Sequence, residues 1–198
     1  TGAIPVFVET DPKTWNIDVD KIEEKITDKT KAILAVHIFG NPCDMNAINE
    51  IAQKHGLRIV EDAAEAHGAE YRGVKTGALS DIAAFSFYAN KNLTTGEGGM
   101  VVTQNQKLYE KCRYFKNVCF PLDGKREFIH KHVGFNYRMS NLHAAIGLAQ
   151  VEKAYDYRDQ RIKNNAFYKQ RLGHVEGITF PEDEAESLNV HWMNAVLI

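Results

Sequence analysis

The chain has 198 residues, of which 44% are hydrophobic, and its formal net charge at pH 7 is -2. This length and composition suit one domain with a sizeable core. The nearly balanced charge argues against nucleic acid or an anionic membrane surface as a partner, and no apolar run reaches membrane-spanning length. The three cysteines lack metal-type spacing, so we expect no metal site and a reducing compartment such as the cytoplasm.

Both ends of the chain resemble interior sequence. The chain begins on Thr1 and Gly2 without an initiator methionine, and it stops on the apolar run 195–198 with no turn or cap. We therefore expect a fragment of a longer protein, whose targeting the sequence leaves open. The first elements predicted are a strand start or edge at residues 4–8, interrupted by Pro5, and a helix capped by Asp18.

A strand, a helix and a second strand are predicted between residues 31 and 60. The nearly continuous apolar run 31–39 is typical of a strand buried on both faces. Apolar residues at helical spacing follow Asp44 and stop at Gly56, and residues 57–60 form another apolar run. This order predicts a βαβ unit and hence a parallel sheet.

A polar loop with one lysine separates two further predicted strands. Residues 82–87 and 100–103 are the strands, and Lys91 lies in the loop before a glycine-rich turn. A lysine held between buried strands can lose its charge by desolvation and act as a nucleophilic amine. A lysine in a polar loop is by itself more often an ordinary surface residue.

The last third of the chain is predicted to be largely helical. Residues 106–116 read as a helix, residues 120–132 as a loop, and Ser140 as the cap of a long helix that continues to about Leu172. A new strand is predicted near Val190.

Glycines and an acidic connector after this helix suggest a domain boundary. We predict a large α/β domain over residues 1–173, incomplete at its N-terminus. Residues 174–198 would form a connector and the start of a small C-terminal domain.

Four long motifs follow one another along the chain: Glu61-Asp62-Ala63-Ala64-Glu65-Ala66-His67-Gly68, Phe85-Ser86-Phe87 with Asn90-Lys91, Thr94-Thr95-Gly96-Glu97-Gly98-Gly99-Met100, and Gly134-Phe135-Asn136-Tyr137-Arg138-Met139. Together they resemble the DegT/DnrJ/EryC1/StrS family of pyridoxal-phosphate-dependent sugar aminotransferases. The resemblance implies a truncated α/β transferase of fold type I, aspartate-aminotransferase-like, with a mostly parallel sheet flanked by helices.

The resemblance implies a role for each of several residues. Lys91 would link covalently to the cofactor aldehyde and then move a proton, and Asp62 would pair with the pyridine nitrogen. Ser86 would bind the phosphate, although a satisfied core serine is nearly as good an interpretation. The resemblance would place Glu65 near the cofactor's phenolic oxygen, where many relatives have glutamine, so two anions would meet there.

Further residues carry weaker assignments. Asn136 and Arg138 resemble a loop that crosses to the partner subunit, with Asn136 near the phosphate and Arg138 as a candidate for substrate binding. Ordinary loop polarity explains Arg138 about as well. His37 and His67 are interpreted as core histidines with satisfied hydrogen bonds.

The implied activity is transfer of an amino group from glutamate to a nucleotide-linked keto sugar by a homodimer with shared active sites. Segment 135–139, Glu65 and segment 14–18 resemble family members that act on GDP-4-keto-6-deoxymannose. This resemblance implies that sugar nucleotide as substrate and a role in surface-polysaccharide synthesis. The alternatives are another sugar aminotransferase, a sugar dehydratase and a non-catalytic relative. Lys91 argues against the dehydratase, because the dehydratases of the family carry histidine at that position. We expect residues 1–198 alone to bind the cofactor weakly and not to catalyse.

Overall fold

The computed structural model describes residues 1–124 and 128–198. Its strands are β1 (Ala32–Val36), β2 (Arg58–Asp62), β3 (Glu70–Tyr71), β4 (Val74–Lys75), β5 (Ile82–Ser86), β6 (Gly99–Val102) and β7 (Ser187–Leu188). Its α-helices are α1 (Met45–His55), α2 (Gln106–Lys116), α3 (Asn141–Val151) and α4 (Ala154–Leu172). None of these helices is long and apolar enough to cross a membrane.

The main sheet has the strand order β1-β2-β5-β6. The first three strands are parallel and β6 runs antiparallel to β5, so the predicted βαβ unit is confirmed. A second, antiparallel sheet with the order β4-β3-β7 joins the C-terminal part of the chain to its middle. The domain division at residue 173 stays a prediction.

Helix α1 forms where the sequence places a cap at each end. The Asp44 carboxylate accepts hydrogen bonds from two N–H groups of the first turn, and Gly56 ends the helix in the left-handed conformation with φ 65°. The helix covers one face of the sheet. The core there is formed by Ile33, Met45, Ile48, Ala52 and Ile59, among others.

Two predictions for the N-terminal segment are wrong. Residues 4–8 form no strand, and Phe7 is 85% exposed. Asp18 caps a short 3₁₀ turn (Val19–Lys21), followed by a second (Glu23–Lys25), instead of an α-helix. Ile22 is nevertheless buried in the core, so the apolar spacing indicated burial correctly but not the type of helix.

Three more predictions need correction. Strand β1 ends at Val36 and is covered on one face only, since Leu34 on the other face is 56% exposed. The long helix predicted after Ser140 is two helices, because the backbone leaves helical geometry at Lys153. The strand predicted near Val190 is β7, just before it. Of the predicted loop 120–132, residues 125–127 lie outside the described residues, and the rest contains no helix or strand.

Candidate active site

Two predicted site residues lie at the same edge of the main sheet. Asp62 is the last residue of β2 and Ser86 the last residue of β5, and these strands are parallel. Asp62 pairs with Ala84, two residues before Ser86. Since side chains alternate along a strand, Asp62 and Ser86 point to the same face, the one opposite α1.

The side chains of Asp62 and Ser86 can each form a further hydrogen bond, as a bound ligand would require. Asp62 Oδ1 accepts a hydrogen bond from the Ala64 N–H at 3.1 Å, and within the described residues this is the one hydrogen bond to its carboxylate. Ser86 Oγ accepts from the Tyr88 N–H at 3.2 Å, so its hydroxyl proton can be donated elsewhere.

Lys91 and Glu65 form an ion pair next to this edge. Lys91 Nζ lies 3.4 Å from Glu65 Oε1, and the two side chains are 12% and 21% exposed. The other carboxylate oxygen of Glu65 accepts from the Phe39 N–H at 2.8 Å. Phe39 has the left-handed φ of 53°, and a Cβ on Gly40 would meet the Glu65 carbonyl at 2.9 Å. The turn after β1 is therefore packed closely around Glu65.

Beneath the site, His37 and Glu61 form a fully buried pair. His37 Nδ1 accepts from the Cys43 N–H at 3.1 Å, so Nε2 donates to Glu61 Oε2 at 3.0 Å. The Glu61 carboxylate also accepts from Gly77, Leu79 and Ser80. Burial alone would raise the pKa of Glu61, but these hydrogen bonds lower it below the ordinary value. The prediction of a satisfied core histidine is confirmed for His37, whereas Glu61 was not predicted.

The same prediction is wrong for His67. Its ring is buried against Phe85 and Phe87, at centroid distances of 5.3 and 5.5 Å, and within the described residues neither ring nitrogen has a hydrogen bond of good geometry. Burial and the nearby charge of Lys91 lower the pKa of His67 to about 4. This imidazole is therefore neutral at pH 7.

His67 should make the stability of the protein fall in mild acid. The unfolded chain binds a proton near pH 6.5, but the folded chain does so only near pH 4. The free energy of unfolding should drop by up to about 3 kcal/mol between these pH values. Urea unfolding of the full-length protein measures it. His67→Phe should flatten this dependence and His174→Gln, an exposed control, should not; an unchanged slope in His67→Phe would contradict the assignment.

The glycine-rich turn packs against α3. Gly98 has a φ of 145°, and a Cβ there would meet Thr95 Oγ1 at 2.7 Å. Gly99 has no positive φ; glycine is needed there because a Cβ would lie 2.8 Å from the Phe85 carbonyl. The Thr94 N–H donates to Gln150 Oε1 of α3 at 3.3 Å.

Asn136 and Arg138 are hydrogen-bonded to each other. Arg138 Nε donates to Asn136 Oδ1 at 2.7 Å and its Nη1 to Asn117 Oδ1 at 3.1 Å, and both predicted side chains are exposed. In the described part of the chain, no hydrogen bond or ion pair joins them to Lys91, Asp62 or Ser86.

A tryptophan that was not predicted completes the surroundings of Lys91. Trp192 places its ring centroid 3.9 Å from Lys91 Nζ. Its sequence position, beyond the predicted domain boundary, carried no signal of this contact. Residues 1–124 and 128–198 contain no group of three or more potential metal ligands.

The fold and the site define an α/β protein whose central feature is a shielded lysine at the carboxyl edge of a sheet. The model of the DegT/DnrJ/EryC1/StrS aminotransferase family matches residues 1–198, and the chain belongs to this family.

Known relatives support the same assignment. The chain is 43% identical over 197 residues to GDP-perosamine synthase of Escherichia coli O157:H7, covering 100% of this chain and 53% of that protein. It is 45% identical over 196 residues to GDP-perosamine synthase of Caulobacter vibrioides, covering 98% and 52%.

A solved structure shows the same fold. DesV of S. venezuelae, solved with a ketimine intermediate, superposes with a TM-score of 0.92 at 38% identity, covering 99% of this chain and 52% of that one. The predicted fold type I is thereby confirmed. The chain spans about half the length of the curated relatives it matches.

Proposed function

We propose that the whole protein is a pyridoxal-phosphate-dependent aminotransferase that moves an amino group from glutamate to a nucleotide-linked 4-keto-6-deoxy sugar. The observation that carries the proposal is the shielded amine of Lys91, beside Glu65 and at the edge where Asp62 and Ser86 share one face. When bound, the cofactor would supply an aldehyde that accepts amines and a ring that takes up electron density.

The side chains present fit that cofactor. The Lys91 amine is half-buried yet retains some solvent contact, as a covalent attachment point requires. The Asp62 carboxylate can hold a proton on a ring nitrogen, and the Ser86 hydroxyl can donate to a phosphate oxygen. Glu65 would sit near the phenolic oxygen, and its Phe39 N–H bond offsets part of its negative charge.

Lys91 would have two tasks in the reaction. It would first hold the cofactor and, once displaced by the amino donor, would carry a proton between carbon atoms on its Nζ. Asp62 would keep the ring nitrogen protonated, and therefore positively charged, during the whole reaction. Asn136 would reach the phosphate of the partner subunit's site, and Arg138 would bind substrate.

GDP-4-keto-6-deoxymannose is the proposed acceptor and GDP-perosamine the product. The support is the likeness to two GDP-perosamine synthases and the presence of Glu65. The pathway would be surface-polysaccharide or O-antigen synthesis in the cytoplasm, which suits three free cysteines.

We also propose a homodimer. Helix α3 supports it, because apolar residues on its surface are widely exposed, among them Leu142 (80%) and Leu148 (64%).

An absorbance spectrum of the full-length protein tests the function. With added pyridoxal phosphate we expect a visible band from the lysine-linked cofactor, which glutamate removes and the correct keto-sugar nucleotide restores. Lys91→Ala should lose the enzyme-linked band completely, since the amine proposed to bind the cofactor is removed.

The controls separate the alternatives. Lys75→Ala, which removes a lysine from another sheet, should keep the band. A wild-type protein without any band would contradict the aminotransferase assignment and favour a non-catalytic relative. If glutamate removes the band but only a different keto-sugar nucleotide restores it, the aminotransferase assignment stands and only the proposed acceptor sugar is wrong.

A further inference from the structure

Trp192 lies unusually close to the candidate catalytic lysine. Lys91 Nζ is 3.9 Å from the centroid of the Trp192 ring, whereas the other cation–ring pairs described in the structure are separated by 4.8 Å or more. An ammonium over the face of an aromatic ring is attracted by the ring quadrupole, most strongly for tryptophan and when water is excluded. Here Trp192 is only 9% exposed and the Lys91 side chain 12%.

Trp192 is held in place by three hydrogen bonds, one from its ring and two at its backbone. The indole Nε1–H donates to the Asn90 carbonyl at 2.8 Å, directly beside Lys91 in the sequence. The Trp192 backbone N–H donates to the Phe39 carbonyl at 2.7 Å, and its own carbonyl accepts from Arg161 at 2.8 Å. The indole is therefore fixed relative to the loop that carries the amine.

We propose that Trp192 is a positioning residue that holds the Lys91 amine against the face of its indole ring and directs it toward Glu65. The flexible four-carbon chain of lysine otherwise samples many rotamers. The indole ring and the Glu65 carboxylate both contact the amine and restrict that freedom. Both contacts shield the amine, so they limit how readily it reacts with a reagent from solution.

The inference rests on the proposed function only for the role of Lys91 as the cofactor-binding residue. The contact between Trp192 and Lys91 itself requires no cofactor. Its test therefore uses the full-length protein stripped of any cofactor. Lysines are labelled with sulfo-N-hydroxysuccinimide acetate, and peptide mass spectrometry gives the rate at Lys91 relative to exposed lysines.

Trp192→Leu should raise the relative labelling rate of Lys91 about fivefold, because the ring face is lost. Trp192→Phe keeps an aromatic face without the indole N–H and should raise it less than twofold. Trp15→Leu is the matched control, because Trp15 also contacts Phe39, and should leave the rate unchanged. A wild-type rate in Trp192→Leu, or equal increases in Trp192→Phe and Trp192→Leu, would overturn the proposal.

Fluorescence keeps the test decisive if Trp192→Leu does not fold. In a full-length protein in which Trp15 and every tryptophan outside residues 1–198 are replaced by phenylalanine, Trp192 is the one remaining tryptophan. Lys91→Met removes the charge over the indole and should shift its emission, whereas Lys75→Met should not. Unchanged emission in Lys91→Met would overturn the proposal; a missing cofactor band in the wild-type protein would instead refute the function and leave the contact standing.

Discussion

Replacing Asp62 with alanine is expected to slow the reaction of the full-length protein with glutamate by about 100-fold to 1000-fold, the effect of removing one preorganised electrostatic partner. Asp62 is the carboxylate at the end of β2 on the face shared with Ser86, and within the described residues its Oδ2 accepts no hydrogen bond. Stopped-flow absorbance measures the rate at which glutamate removes the lysine-linked band. The band itself should still form, because Lys91 is intact.

Asp62→Asn separates charge from position. The amide oxygen can keep the hydrogen bond from the Ala64 N–H but cannot hold a positive charge beside it. If the charge matters, the asparagine variant should be nearly as slow as the alanine variant. A rate close to wild type would mean that Asp62 only shapes the turn after β2.

Glu61→Gln is expected to destabilise the protein by about 3 kcal/mol, although Glu61 is the immediate neighbour of Asp62. The Glu61 carboxylate is fully buried and accepts from His37, Gly77, Leu79 and Ser80. An amide would turn an NH₂ group toward some of these donors and leave them without an acceptor. Urea unfolding of the full-length protein at pH 7 gives the difference.

The loss of stability in Glu61→Gln should become smaller as the pH falls. The hydrogen bonds outweigh burial and lower the pKa of Glu61 below 4.5, so its stabilisation is fully present above that pH and is lost as the pH falls through the lowered value. The wild type and the variant should converge in acid. Glu70→Gln, at a surface pair with Lys75, should cost less than about 1 kcal/mol at any pH. A Glu61→Gln variant as stable as Glu70→Gln would refute this assignment.

Local signals in the sequence were sufficient to predict the strands and the helix that position the site. Asp44 and Gly56 delimit α1 because a cap and a left-handed glycine act within one turn of the helix. No glycine or proline marks the break at Lys153, so the apolar periodicity wrongly predicts one continuous helix across it. The 3₁₀ turns after Asp18 were misread for a similar reason, since a few apolar residues suit either kind of helix.

The site was predictable where its residues adjoin strand ends and unpredictable where distant segments meet. The resemblance pointed to Lys91 and Glu65, and their contact is present in the structure. Trp192 reaches Lys91 through tertiary packing that no nearby pattern reports. His67 looked like an ordinary core histidine, because a sequence does not reveal whether a buried nitrogen finds a partner.

The adjacent acids Glu61 and Asp62 also restrict how β2 can pair during folding. Since neighbouring side chains point to opposite faces, sliding β2 by one position would exchange them. Asp62 is one methylene shorter and would meet the donors that now surround Glu61, while Glu61 would move to the open face. The misaligned strand would thus carry a buried charge with poorer partners. Two consecutive carboxylates therefore favour one alignment of this strand over its nearest competitor.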